Sequence, residues 1–168
     1  MVKRYVTYAE VHEGCSRLAV QIREDNWSPD LIVAIASGGF IPARILKTYL
    51  KADIYVVGLK RYDEDSIVHP VPIKIQWIDE VERKLSGKRI LLVDEVDDTR
   101  VTLAYCLQEL LRYEPIEIRV AVLHQKRKEK SAEYPAGVKV YQAEVLEDVW
   151  IKYPWDALDV ARHEKGLD

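Results

Sequence analysis

Cysteine is scarce in this chain: two residues, Cys15 and Cys106, among 168. Both fall in apolar helical patterns, where a free thiol behaves as a small buried hydrophobe, so neither a disulfide nor a cysteine metal centre is expected. Long apolar runs are missing too. The stretch Leu31 to Ala36 is typical, far short of the ~20 residues a membrane-spanning helix needs. The opening residues, MVKRYVTYAEVHEG, lack the apolar core of a secretion signal. Basic residues are in no excess: 25 Lys and Arg against 28 Asp and Glu leave a net charge of −3, which argues against a general nucleic-acid binder. No repeat or low-complexity tract is visible. These absences predict a cytoplasmic protein with neither membrane nor nucleic acid as a partner.

What is present is an ordinary globular composition, 48% hydrophobic and 32% charged, in a length that suits one domain. Tyr8, Val11, Cys15, Leu18, Ala19 and Ile22 recur at helical spacing, and Thr7 with Glu10 fits a capping box. A strand over about 31–36 leads into the glycine loop Ser37-Gly38-Gly39, then a helix over 42–50 and a strand over 53–60. Arg61 to Pro72 is polar and proline-bearing, which predicts a mobile loop, with IKIQWI as a strand beyond it. Arg89 to Asp94 reads as a buried parallel-type strand. Thr99 to Arg112 reads as a helix with Leu103, Leu107, Leu110 and Leu111 inward, and PIEIRVAVLH and VKVYQAEVL read as further strands. The charged run His124 to Lys130 reads as mostly solvated loop. The alternation predicts an α/β fold with a mostly parallel central sheet flanked by helices. Ligands in such sheets bind beyond the carboxyl ends of the strands.

One of those ends is unusual. The apolar run Ile90 to Val93 is followed by Asp94, Glu95, Asp97 and Asp98, then by Thr99 and Thr102. A plain account has the first acids in water and Asp98 capping the next helix. A chemical account uses every residue type. Adjacent carboxylates accept hydrogen bonds from the paired hydroxyls of a ribose and hold Mg²⁺. Threonine hydroxyls, free backbone N–H groups and the helix dipole hold a phosphate. Together they describe a ribose-phosphate pocket.

Two apolar positions, two acids, a variable pair, Asp-Thr and a further Thr resemble the phosphoribosyl-pyrophosphate (PRPP) loop of type I phosphoribosyltransferases. IVAIASGGFIPARIL is similar to that family's pyrophosphate loop, and EDVWIKYPWD to the purine-contacting segment of the bacterial xanthine-guanine enzymes. The resemblance implies a parallel sheet with a small hood, built here from the N-terminal segment and about residues 138–168. It implies an Mg²⁺-dependent glycosyltransferase, a homodimer or homotetramer, that joins a 6-oxopurine (guanine, hypoxanthine or xanthine) to PRPP in purine salvage. On the matched positions, Asp94 and Glu95 would hold the ribose and the metal. Asp98, Thr99, Arg100, Val101 and Thr102 would surround the 5′-phosphate, and Asp98 would also handle a proton at purine N7. Ser37 and Gly38 would bind pyrophosphate, after a cis peptide between Ala36 and Ser37. Lys126 would donate to the purine's exocyclic oxygen, against a surface-lysine alternative. Trp150 and Ile151 would contact the base, Trp155 would pack the hood, and Asp156 would serve the metal or the hood. Arg61 to Pro72 would be a mobile lid.

Two positions depart from the pattern. Arg100 stands where a small residue is usual, so its side chain must point away from the phosphate or add a cation to it. Asp97 is an additional acid, expected to face water. The rival readings are a non-catalytic PRPP- or nucleotide-sensing regulator on the same fold and a transferase for another base. A receiver-like signalling module is set aside, because its acidic strand end lies near the N-terminus and lacks the Asp-Thr and helix.

Overall fold

The chain returns to the same end of its sheet after nearly every strand, by a helix after the strands Leu31–Ala36 and Arg89–Asp97 and by a loop after the strand Glu117–Arg127. The computed structural model describes residues 2–62 and 67–167. The elements that build the sheet are β2 (Leu31–Ala36), β3 (Asp53–Tyr62), β4 (Val68–Gln76), β5 (Arg89–Asp97), β6 (Glu117–Arg127) and β7 (Val140–Glu147), in the spatial order β4-β3-β2-β5-β6-β7. All neighbours are parallel except β3 and β4. A first strand, β1 (Lys3–Tyr5), pairs in parallel with β8 (Trp150–Lys152) as a separate two-stranded sheet. The helices are α1 (Tyr8–Glu24), α2 (Phe40–Leu50), α3 (Val81–Leu85), α4 (Val101–Leu111) and α5 (Val160–His163).

Each face of the sheet is covered. Leu18, Ile22 and Leu46 from α1 and α2 pack against Ile32, Leu91 and Leu123 on one side. Leu85, Leu103, Leu107 and Leu110 from α3 and α4 pack against Val33, Leu92 and Val120 on the other. The near-continuous apolar runs of β2 and β5 follow from this two-sided burial. Cys15 and Cys106 lie buried and free within the two cores. The capping box at α1 is complete: the Thr7 hydroxyl accepts from the Glu10 N–H, and the Glu10 carboxylate accepts from the Thr7 N–H.

Several expectations need correction. The first described residues of the expected lid, Arg61 and Tyr62, end β3, and Val68 to Pro72 open the antiparallel β4; residues 63–66 of that expectation lie outside the described residues. Pro70 and Pro72 are tolerated because β4 is an edge strand whose register is irregular between Lys60 and Tyr62. Tyr8 and Leu111 are 43% and 39% exposed, since each sits at a helix end where the apolar stripe leaves the core. Helix α4 starts at Val101, later than expected, because β5 stays extended through Asp97. His124 to Arg127 are strand, not solvated loop, because β7 continues to pair with β6 as far as Arg127.

The two-stranded sheet is tied to the core by Tyr153. Its ring stacks on Trp155 at 4.6 Å, and its hydroxyl lies 2.9 Å from His124 Nδ1 and donates to the Glu95 carbonyl at 3.2 Å. Burial pushes the His124 imidazole from its ordinary 6.5 down to about 4, against a weaker upward pull from Glu144. Between those values the unfolded chain binds the proton that the folded chain refuses. The penalty is therefore absent above pH 6.5 and grows as pH falls toward 4. Chemical denaturation across that window should show the native chain losing on the order of 3 kcal/mol relative to His124→Gln; parallel curves for the two proteins would mean that His124 is not held neutral by burial.

Candidate active site

The sheet order places β2 beside β5, and their connections leave in opposite directions. A crevice opens at such a point, beyond the carboxyl ends of both strands. Ala34 pairs with Val93, so the glycine loop after β2 and the acidic loop at the end of β5 emerge side by side.

The contact between them is close. A Cβ built on Gly38 would lie 1.8 Å from Glu95 Oε2, so the Glu95 carboxylate occupies the space a side chain would take. At Gly39 the clash would be with backbone, 2.6 Å from the Val93 carbonyl oxygen and 2.7 Å from that of Ile35. The Ala36–Ser37 peptide is cis, as the resemblance implied. Asp94 is buried and accepts from the Glu95 N–H at 2.9 Å. Burial, and then the charge of Glu95, hold its carboxyl well above the ordinary range. A cation shared by the two carboxylates would relieve both effects. Their hard oxygens suit Mg²⁺. Among the described residues no set of three or more His, Cys, Asp or Glu side chains could hold a metal. Substrate oxygens and water would thus complete the shell, as Mg²⁺ prefers. Asp156 lies near enough for its carboxyl to be raised by burial and then by Glu95.

Behind the carboxylates is a cavity of about 230 Å³, lined in part by Arg61, Asp94, Glu95, Asp98, Thr99 and Thr102. Helix α4 points its first turn here without a side-chain cap, so its early N–H groups remain available to an anion. Asp98 is therefore not the cap that the plain account required; it pairs with Lys126 at 3.4 Å and Lys128 at 3.2 Å. Val101 lies outside the lining, as do Lys126, Trp150 and Ile151. Lys126 is 8% exposed, which overturns its reading as a surface lysine; it stands between Asp98 and Asp148 because it lies on β6. Trp150, on β8, is 57% exposed, whereas Ile151 and Trp155 pack against the core.

Two residues differ from what the sequence suggested. Asp97 does not face water: it is fully buried and accepts from Arg100 Nη2 at 2.9 Å. The Arg100 guanidinium is thus held by Asp97 and lies 4.2 Å from the Tyr134 ring centre, while Arg100 is also among the residues that line the cavity. Arg61, expected only as the edge of a lid, reaches into the cavity and donates from Nη1 to Thr99 Oγ1 at 2.7 Å. The signal for it in the sequence is its place at the end of a strand, which pairs with β2 in the fold.

The glycines give a direct test. Gly38→Ala should fold with near-native stability, since the flexible Glu95 side chain can swing aside, yet bind Mg²⁺ and nucleotide at least about tenfold more weakly. Gly39→Ala should lose on the order of 1–3 kcal/mol of stability, because backbone must move. Calorimetric titration and thermal unfolding of both variants separate the two, and equal behaviour would contradict the geometry.

The chain is similar to known proteins over most of its length. The model of the phosphoribosyl transferase domain matches residues 3–157. The chain is 37% identical to hypoxanthine-guanine phosphoribosyltransferase of Saccharomyces cerevisiae, over 97% of this chain and 90% of the yeast protein. A hypothetical protein from Neisseria gonorrhoeae, crystallised with bound ppGpp, superposes with a TM-score of 0.91 at 43% identity, over 99% of this chain and 96% of that one. A purine phosphoribosyltransferase from Pyrococcus horikoshii superposes with a TM-score of 0.73 at 29% identity, over 95% and 97% of the two chains.

Proposed function

Because this chain belongs to the phosphoribosyl transferase domain family, we propose that it transfers the phosphoribosyl group of PRPP to a 6-oxopurine in purine salvage, releasing pyrophosphate. The observation that carries the reading is the juxtaposition of the Glu95 carboxylate with Gly38, above the uncapped first turn of α4. That arrangement suits a sugar held by its hydroxyls with a phosphate on one side and a departing anion on the other.

In this reading Asp94 and Glu95 accept from the ribose hydroxyls and would hold the Mg²⁺. The metal would supply charge neutralisation to the pyrophosphate as it leaves. The α4 N–H groups, Thr99, Thr102 and Arg61 bind the 5′-phosphate, and Ser37 and Gly38 bind pyrophosphate. As the bond to C1′ lengthens, positive charge on the ribosyl ring is stabilised by the acidic loop. The purine lies against Trp150 under a hood made of β1 and β8, and Ile151 borders it. Such stacking contributes roughly 1–3 kcal/mol. Lys126 donates to O6, and Asp98, held beside it, accepts the proton at N7. The reading includes cytoplasmic location and a homo-oligomer.

Steady-state assays with guanine, hypoxanthine and xanthine in turn, with PRPP and Mg²⁺, test the reading; absence of nucleotide formation with all three would end it. Asp98→Asn should lower kcat by about 10²–10⁴ while PRPP binding stays near native. Native turnover in that variant would remove the assigned role.

A second reading is favoured by the ppGpp bound to the gonococcal protein. We propose that ppGpp also binds this site, its guanine at the base site and a phosphate chain in the cavity at α4. It should then inhibit in competition with PRPP; inhibition unaffected by PRPP concentration would place it elsewhere.

A further inference from the structure

The phosphoryl loop contains a residue whose backbone conformation belongs to glycine. Arg100 has φ of 71°, a left-handed conformation that costs an ordinary residue free energy unless its surroundings enforce it. The reaction proposed above leaves its side chain unused, and leaves Asp97 unused as well. Both are nevertheless held from one segment, the turn that follows β6. Arg100 Nε and Nη2 both donate to Asp97 Oδ2, at 3.2 and 2.9 Å. Tyr134 lies under the guanidinium. Lys130 Nζ stands 3.5 Å from Asp97 Oδ1 and donates to the carbonyls of Asp97 and Asp98, at 2.9 and 2.8 Å. The Ser131 N–H donates to the Thr99 carbonyl at 3.0 Å. Four successive residues, 97 to 100, are thus fastened from 130–134.

We infer that Asp97 and Arg100 are positioning residues: a lock that keeps the loop in the conformation that aims the α4 N–H groups and the threonine hydroxyls at the 5′-phosphate. The inference rests on the phosphoribosyl reading for its ligand but not for its geometry. The Arg100 and Lys130 cations are engaged by a buried carboxylate and by loop carbonyls, so the lock shapes the phosphate site through the conformation of the loop. This arrangement makes glycine, not lysine, the conservative replacement for Arg100. Glycine adopts φ near 70° freely. Lysine keeps the charge and the backbone cost but loses the two-pronged contact with Asp97 and the flat stacking on Tyr134.

The test is titration with GMP, together with kcat and KM for PRPP. Arg100→Gly should stay within about threefold of native, whereas Arg100→Lys should bind GMP about tenfold more weakly and raise KM more than it lowers kcat. Asp97→Asn should also weaken binding about tenfold, and Arg100→Gly added to it should recover most of the loss. A phosphate-binding Arg100 predicts the reverse order, with lysine better than glycine, and that result would overturn the lock, as would independent effects of the two substitutions. Hydrogen exchange at the amides of residues 99–103 reads the lock without any ligand: Arg100→Lys should speed it and Arg100→Gly should not. If the native chain fails to bind GMP, the proposed function falls, and the exchange rates still decide the lock; unchanged exchange in Arg100→Lys would refute it.

Discussion

Parallel pairing of β2 with β5 is the constraint on which the site depends. Their in-register pairing stops at Ala34 and Val93, so the two strands part at the same level of the sheet. Their connections then part, and the crevice between them receives the glycine loop from one side and the acidic loop from the other. The close approach needs a residue without a side chain at 38, because the Glu95 carboxylate fills that space. A sheet of any other order would separate these loops and leave two unrelated surface turns.

The crowding of acids at the end of β5 resolves into different electrostatic tasks. Asp94 and Glu95 face the crevice side by side, and burial, then the Glu95 charge, dominate the Asp94 carboxyl. Asp97 points to the other side and is matched by Arg100 and Lys130. Asp98 is shared by Lys126 and Lys128. The loop tolerates four acids because its neighbours supply cations to Asp97, which is turned into the protein, and to Asp98 at the edge of the cavity. Free carboxylates are kept where a metal and a sugar would supply the compensation.

The two-stranded sheet belongs to the same design. It joins the ends of the chain, β1 to β8, and Tyr153 fixes it against both His124 and the Glu95 carbonyl. Burial keeps the imidazole at that contact neutral. The two-stranded sheet bearing Trp150 is in this way referred to the acidic loop through one side chain, while Trp150 itself stays exposed.

Local properties of the chain are legible in the order of its residues. The alternation of apolar periods lays out the strands and helices, the buried thiols follow from their helical spacing, and the acid-then-threonine pattern locates the loop at the sheet's edge. Those features depend on neighbours a few residues away. Partners far along the chain are not legible in this way. Asp97 lies 33 residues from Lys130, and Arg61 lies 38 from Thr99. A charged residue next to other charges looks solvated until the fold supplies a distant partner, so Asp97, Lys126 and His124 each look wetter in the sequence than they are. Periodicity determined which segments are buried; only tertiary packing decided which charges face each other, because electrostatic pairing depends on distance in space and the sequence records only distance along the chain.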